Sequence, residues 1–130
     1  MAKTTQSRKA KGRKLQQAVV KKILKLYPSL TERDVRSTPM GVSGVDVQLS
    51  EKASELFPYA VECKNQEKLS IWKELKQASD ENRDLTPILI FKRNHSKTYV
   101  AMEINDFFDI LEELKWKEQK SKNMNLTGYY

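Results

Sequence analysis

From Arg13 to Tyr27, Leu15, Val19, Ile23 and Leu26 recur at three- and four-residue spacing, with Val20, Leu24 and Tyr27 alongside. The spacing gathers them on one side of a helix, so residues 13–27 are expected to form an amphipathic helix that Pro28 ends. Residues 29–43 show no period, and the region holds the turn-forming Pro39, Gly41 and Gly44. The period then changes to two. Val45, Val47 and Leu49 alternate with Asp46, Gln48 and Ser50, which predicts a strand with one buried face. Residues 51–57 read as a loop. After Pro58, Tyr59, Val61 and Cys63 alternate with Ala60, Glu62 and Lys64 in a second strand.

A helix is expected from about Leu69 to Asn82, with Ile71, Trp72, Leu75, Ala78 and Ser79 on its apolar side. Pro87 opens a third strand, PILIFK, whose unbroken apolar run suits a central position covered on both faces. Asn94 and His95 make a turn, residues 97–102 a fourth strand, and Ile104, Phe107, Phe108, Leu111 and Leu114 a closing helix. Hairpin pairing is expected for the first two strands and for the last two. The result is an α/β fold, a mixed sheet flanked by helices. Three segments follow: a disordered basic arm over residues 1–12, a domain over 13–116 and a flexible tail over 117–130.

Charge adds a partner class. Residues 1–26 hold nine Lys or Arg and no acid, whereas the rest of the chain is close to neutral, so the net +7 is an N-terminal feature. Such an arm attracts polyphosphates and releases counterions on binding, which makes Arg8, Lys9, Lys11, Arg13 and Lys14 candidate nucleic-acid contacts. A solubilising tail or a targeting signal is the competing use of the same charges. No apolar run reaches the length of a membrane span and no secretory signal is evident. The single Cys63 cannot form an internal disulfide, which suits a reducing compartment, so a cytoplasmic location is expected.

The chemistry resides in the strands. Glu62 and Lys64 lie two apart and leave the sheet on one face, while Val61 and Cys63 point the other way. If the preceding strand pairs alongside, Asp46 joins them. Two converging carboxylates repel unless a cation joins them, and Mg²⁺ or Mn²⁺ meets that need while leaving positions for water and phosphate. Phosphodiester hydrolysis uses such a site. Lys64 would orient the water, hold the scissile phosphate or stabilise developing charge; staying protonated beside two acids makes the last role the safest. The competing reading is a surface salt bridge with Asp46 as a cap.

At these residues the chain resembles the PD-(D/E)XK nuclease superfamily, and within it the Holliday junction resolvases and small phage-type nucleases. The matching text is SGVDVQL, YAVECKNQE, WKELKQAS, PILIFKRN and TYVAMEI, within about residues 11–114. The resemblance implies a restriction-endonuclease-like fold with an αβββαβ core. It implies Mg²⁺ at Asp46 and Glu62, a further ligand from the Cys63 carbonyl and a catalytic Lys64. Members often carry a Glu on the first helix after a Lys-Gly pair. Here Lys11-Gly12 precedes Gln16, which either contacts the site without adding charge or is an ordinary helix residue. Val45 stands where the motif's leading Pro would be, and that Pro bears no group that hydrolysis needs.

Gln77 resembles a Gln often found near the site, although its spacing suits exposed helix surface. Ser43 is a turn residue or a phosphate contact, His95 a turn residue, and Trp72 core or dimer surface before base platform. The expected function is a Mg²⁺-dependent endonuclease on branched or duplex DNA, Holliday junction resolvase-like and acting in phage DNA recombination. A homodimer would supply two sites for two strands. The alternatives are a non-catalytic nucleic-acid-binding domain and a degenerate nuclease fold; RNA is kept as a substrate.

Overall fold

The computed structural model describes residues 5–39 and 41–127. Helix α1 (Thr5–Leu26) presents Leu15, Val19 and Ile23 as one buried stripe, as their spacing requires, with Val20, Leu24 and Tyr27 packed against the same core. Leu26, expected on that stripe, is exposed at the helix end. The helix runs back to Thr5 through residues that composition assigned to an arm, and residues 6–9 are exposed along it. Residues 1–4 of that arm and 128–130 of the tail lie outside the described residues.

Two short strands follow, β1 (Val35–Ser37) and β2 (Val47–Leu49), paired antiparallel with Val35 opposite Leu49 and Ser37 opposite Val47. Between them the chain turns through Gly41 and Gly44, both at positive φ, where a side chain would be strained. The Thr38 hydroxyl donates to the Val45 carbonyl and closes this turn. Residues 51–57, expected as a loop, contain helix α2 (Glu51–Leu56). Its cap is local: the Ser50 hydroxyl accepts from the Ala53 N–H at 3.1 Å and donates to Asp34 at 2.8 Å.

Strand β3 (Tyr59–Asn65) runs parallel to β4 (Thr86–Lys92), joined by helix α3 (Ile71–Glu81), and β5 (Tyr99–Ala101) adds antiparallel to β4. The parallel pair needs that crossover helix. β4 is therefore the central strand, as its apolar run predicted, and the β4–β5 hairpin turns at His95 with φ 61°. The hairpin expected for the first two predicted strands is absent. β2 pairs with β1 instead, because α2 separates it from β3, and among the described residues a single main-chain bond, from Asp46 N–H to the Val61 carbonyl at 3.0 Å, links the two sheets. The fold is thus a mixed α/β arrangement of small sheets with helices, compatible with a PD-(D/E)XK-like fold.

The main core lies between α1 and the sheets, where Val35, Val47, Val61, Cys63 and Ile88 meet the α1 stripe. The opposite face of β3, with Ala60 and Glu62, is buried too, on the side of α3 and its buried Glu74 and Ala78. The inward side of α3 carries Ile71, Glu74, Leu75 and Ala78; Trp72 and Ser79, expected there, are exposed. The closing helix α4 extends over Ile104–Thr127, taking in most of the expected tail, and its apolar stripe faces outward. No described helix is long and apolar enough to cross a membrane.

Ile23 anchors α1 at 3% exposure. Ile23→Ala is expected to cost about 2–5 kcal/mol of stability, the range for emptying a packed aliphatic site. A lowered urea midpoint with an unchanged slope would report it.

Candidate active site

Asp46 stands just before β2, and both ends of it hold β3. Its N–H donates to the Val61 carbonyl at 3.0 Å, and its Oδ2 accepts the Cys63 N–H at 2.6 Å. A carboxylate fixed to a main-chain N–H in this way cannot swing away from the strand. The same stretch of β3 carries Glu62 and Lys64, whose period-two placement sends them to the α3 side while Val61 and Cys63 enter the core. Lys64 Nζ lies 3.9 Å from Glu62 Oε1 and 3.6 Å from Glu74 Oε2, a cation held between two acids rather than hydrogen-bonded to either.

Glu62 is nearly inaccessible, at 2% exposure. Burial above all, then the negative charge and close approach of Asp46, with Glu81 adding to them, push its carboxyl up to about 9; Lys64 pulls the other way. Glu62 Oε2 and Glu74 Oε2 are both buried without a hydrogen-bond partner. Burial also raises the Cys63 thiol, as suits a core residue with no nucleophilic task.

A cleft of about 1030 Å³ opens over Asp46, Cys63 and Lys64. One wall is α1, through Arg8, Lys9, Lys11, Gly12, Arg13 and Gln16; the other comes from the turn before β2 and the segment after β3, which adds Lys68. The Lys11 ammonium is tied to Asn94 Oδ1 at 2.6 Å, which braces α1 against the β4–β5 turn. Of the residues singled out by sequence, Gln16 therefore faces the cleft together with Arg8, Lys9, Lys11 and Arg13. Lys14 and Ser43 are exposed and do not line it. Glu62 does not line it either; its carboxylate is buried beneath. Gln77 is half-buried on α3 and donates to Glu81 Oε1 at 3.1 Å, and His95 sits in its turn.

Sequence reasoning missed Glu74. The signal was present, since Ile71, Glu74, Leu75 and Ala78 fall at helical spacing and the acid occupies an inward position in that series. Choosing Trp72 for the apolar side rotated the helix away from it.

The donor set suits a hard divalent cation. Asp46 lies close enough for its charge to oppose ionisation of Glu62, and Glu62 has an oxygen with nothing to bond. Magnesium-type ions need only one or two carboxylates, completing their shell with water and phosphate. Among the described residues no three His, Cys, Asp or Glu side chains form a metal-binding group.

The family model for the phage putative PDDEXK endonucleases matches residues 7–128. The chain belongs to that family. No curated protein and no solved structure matches it. Membership places this PDDEXK chain in the PD-(D/E)XK superfamily, whose nucleases generally use divalent metals and whose name implies a nucleic-acid substrate. Asp46, Glu62 and Lys64 are the residues that resemble its motif.

The raised Glu62 carboxyl gives a test in the absence of metal. A folded-state pKa of about 9 against 4.5 when unfolded means that the folded form holds the proton more tightly. The contribution is complete below about pH 4.5 and is lost as pH rises through 9. In chelator, Glu62→Gln is expected to flatten that fall and to stabilise the protein by roughly 1–2 kcal/mol at pH 8, the size of a relieved active-site strain. Urea denaturation of both proteins at pH 5, 7 and 9 measures it.

Proposed function

We propose that this protein is a Mg²⁺- or Mn²⁺-dependent endonuclease that hydrolyses DNA phosphodiester bonds. The observation carrying the reading is that Asp46 and Lys64 line one cleft rimmed by the cations of α1, with Glu62 buried beside Lys64. A module that only held nucleic acid would have no use for one acid in that cleft and a second buried beside it.

Asp46, Glu62 and the main-chain carbonyl of Cys63 would hold the ion. When bound, it supplies positive charge at the phosphoryl group and eases deprotonation of the attacking water. The chain's own residues do the rest. Arg8, Lys9, Lys11 and Arg13 bind the backbone phosphates and set the strand along the cleft. Lys64 presents its ammonium to the scissile phosphate and stabilises the charge that builds on its oxygens. Gln16, uncharged, orients water at the α1 wall. Water forms the new O–P bond, the bond to the leaving oxygen breaks, and that oxygen takes up a proton.

Contacts of this kind follow backbone shape rather than base edges, which supports structure-specific cutting of branched DNA in the manner of a Holliday junction resolvase. The setting we infer is recombination of phage DNA in the cytoplasm of the host cell.

Asp46→Ala, Glu62→Ala and Lys64→Ala should each lower cleavage by at least about 100-fold, the scale of removing one stabilising group from the transition state. Circular dichroism and DNA affinity should stay near those of the parent. The measurement is a panel of four-way junction, flap, duplex and single strand with Mg²⁺, Mn²⁺ and Ca²⁺, and RNA alongside. A Glu62→Ala protein that cuts as fast as the parent sinks the reading. Replacing Arg8, Lys9 and Lys11 together with Ala should reduce the slope of log affinity against log salt by roughly 0.9 for each phosphate no longer neutralised. Fluorescence anisotropy across a salt series reads that slope.

A further inference from the structure

The inward stripe of α1 does not stop where the core stops. Gly12 lies three, seven and eleven residues before Leu15, Val19 and Ile23, so it continues the side of the helix that those residues bury. Beyond Leu15 the core gives way to the cleft, and Gly12 is part of the cleft wall. Arg8 and Lys9 stand one turn before it, Gln16 one turn after it and Arg13 beside it, and all four line the same wall. At the centre of that frame the helix has no side chain.

Nothing inside the protein asks for a glycine there. Gly12 is well within α1, and unlike Gly41 and Gly44 it does not have a positive φ. A Cβ at this position would meet no atom of the surrounding structure within 4 Å, so packing does not exclude one. Glycine inside a helix is destabilising relative to alanine. The chain gives up helix stability at a point where its own fold gains nothing.

We propose that Gly12 is the contact point for the sugar–phosphate backbone of the bound strand, where the bare helix surface lets a sugar ring pack directly against α1. The chemistry selects sugar over phosphate. A main-chain N–H in the interior of a helix is already taken by the carbonyl four residues back, so Gly12 has no donor for a phosphate oxygen. It presents an uncharged surface, while Arg8, Lys9 and Arg13 supply the charge for phosphates on either side of the sugar. A side chain at this position would hold the strand off α1 by its own thickness. It would also shift the strand relative to Lys64, which lines the same cleft.

This contact rests on the reading above that nucleic acid occupies the cleft, but not on cleavage, so binding alone tests it. Fluorescence anisotropy of a labelled four-way junction and a labelled duplex, each in Ca²⁺ and in chelator, compares the parent with Gly12→Ala, Gly12→Leu and Ala18→Leu. Affinity should fall with side-chain size, about 5-fold for Gly12→Ala and at least about 100-fold for Gly12→Leu, the span of inserting carbon atoms into a packed contact. Stability should move the opposite way, with a higher urea midpoint and an unchanged slope for Gly12→Ala. A residue that served only the fold would not yield a more stable protein that binds worse. Ala18→Leu, at an exposed position of α1 outside the cleft, should bind like the parent, and a matching loss there would overturn the contact. A parent that binds neither DNA overturns the cleft reading and the contact together. A parent that binds, with Gly12→Leu binding as tightly, overturns the contact alone. Equal losses in Gly12→Ala and Gly12→Leu, both good helix formers, would assign Gly12 to helix flexibility and overturn it as well. So would a Gly12→Ala protein less stable than the parent, because the fold itself would then require the glycine.

Discussion

The grip of Asp46 on β3 is the constraint that the candidate site depends on. β1–β2 and β3–β4–β5 are separate sheets, and no ladder of hydrogen bonds sets their relative position. Asp46 spans the gap with its main chain on Val61 and its side chain on Cys63. The residues on either side of Glu62 are therefore the ones it holds. A carboxylate that a hairpin would have placed by register is placed here by its own two bonds, and the packing of Val47 and Val61 into one core keeps them formed.

The neighbourhood so created is electrostatically costly. Two buried carboxylate oxygens, on Glu62 and Glu74, have no hydrogen-bond partner, and one lysine at 3.6–3.9 Å serves both acids. Interiors tolerate such groups poorly without compensation. That α3 should turn an acid inward, at a position where Ala78 and Leu75 show that an apolar residue is accommodated, is a departure from the rules that the rest of the chain follows. Departures of this sort collect where function is carried.

Much of this was legible in the chain. Strict alternation along β3 gave the side of the sheet that Glu62 and Lys64 take, and the apolar run of β4 marked it as central, whereas Asp46 stands outside β2 and is placed by its own bonds. The α1 stripe was equally plain. What escaped were elements too short for periodicity: β1 has three residues and α2 six, and their stability comes from Asp34, Ser50 and long-range pairing rather than from local pattern. Missing them produced the false hairpin. Glu74 escaped because Ile71, Leu75 and Ala78 fit two settings of α3, one that adds Trp72 and one that adds Glu74, and the exposure of Trp72 with the approach of Lys64 to Glu74 decides between them. The outward stripe of α4 was visible as a stripe, but periodicity does not say which way a helix faces.

Helix α1 plays two parts with different halves. Its inner turns are fastened by Leu15, Val19 and Ile23, while the outer ones, rich in arginine and lysine with no acid in the first turn, bring like charges together at the positive end of the helix dipole. Gly12 lies at the join and adds its own helix cost. A phosphodiester backbone in the cleft would neutralise that mutual repulsion. If the proposed substrate lies there, neutralising those charges and binding it would be one equilibrium, so a change that eased the repulsion beforehand would also alter affinity.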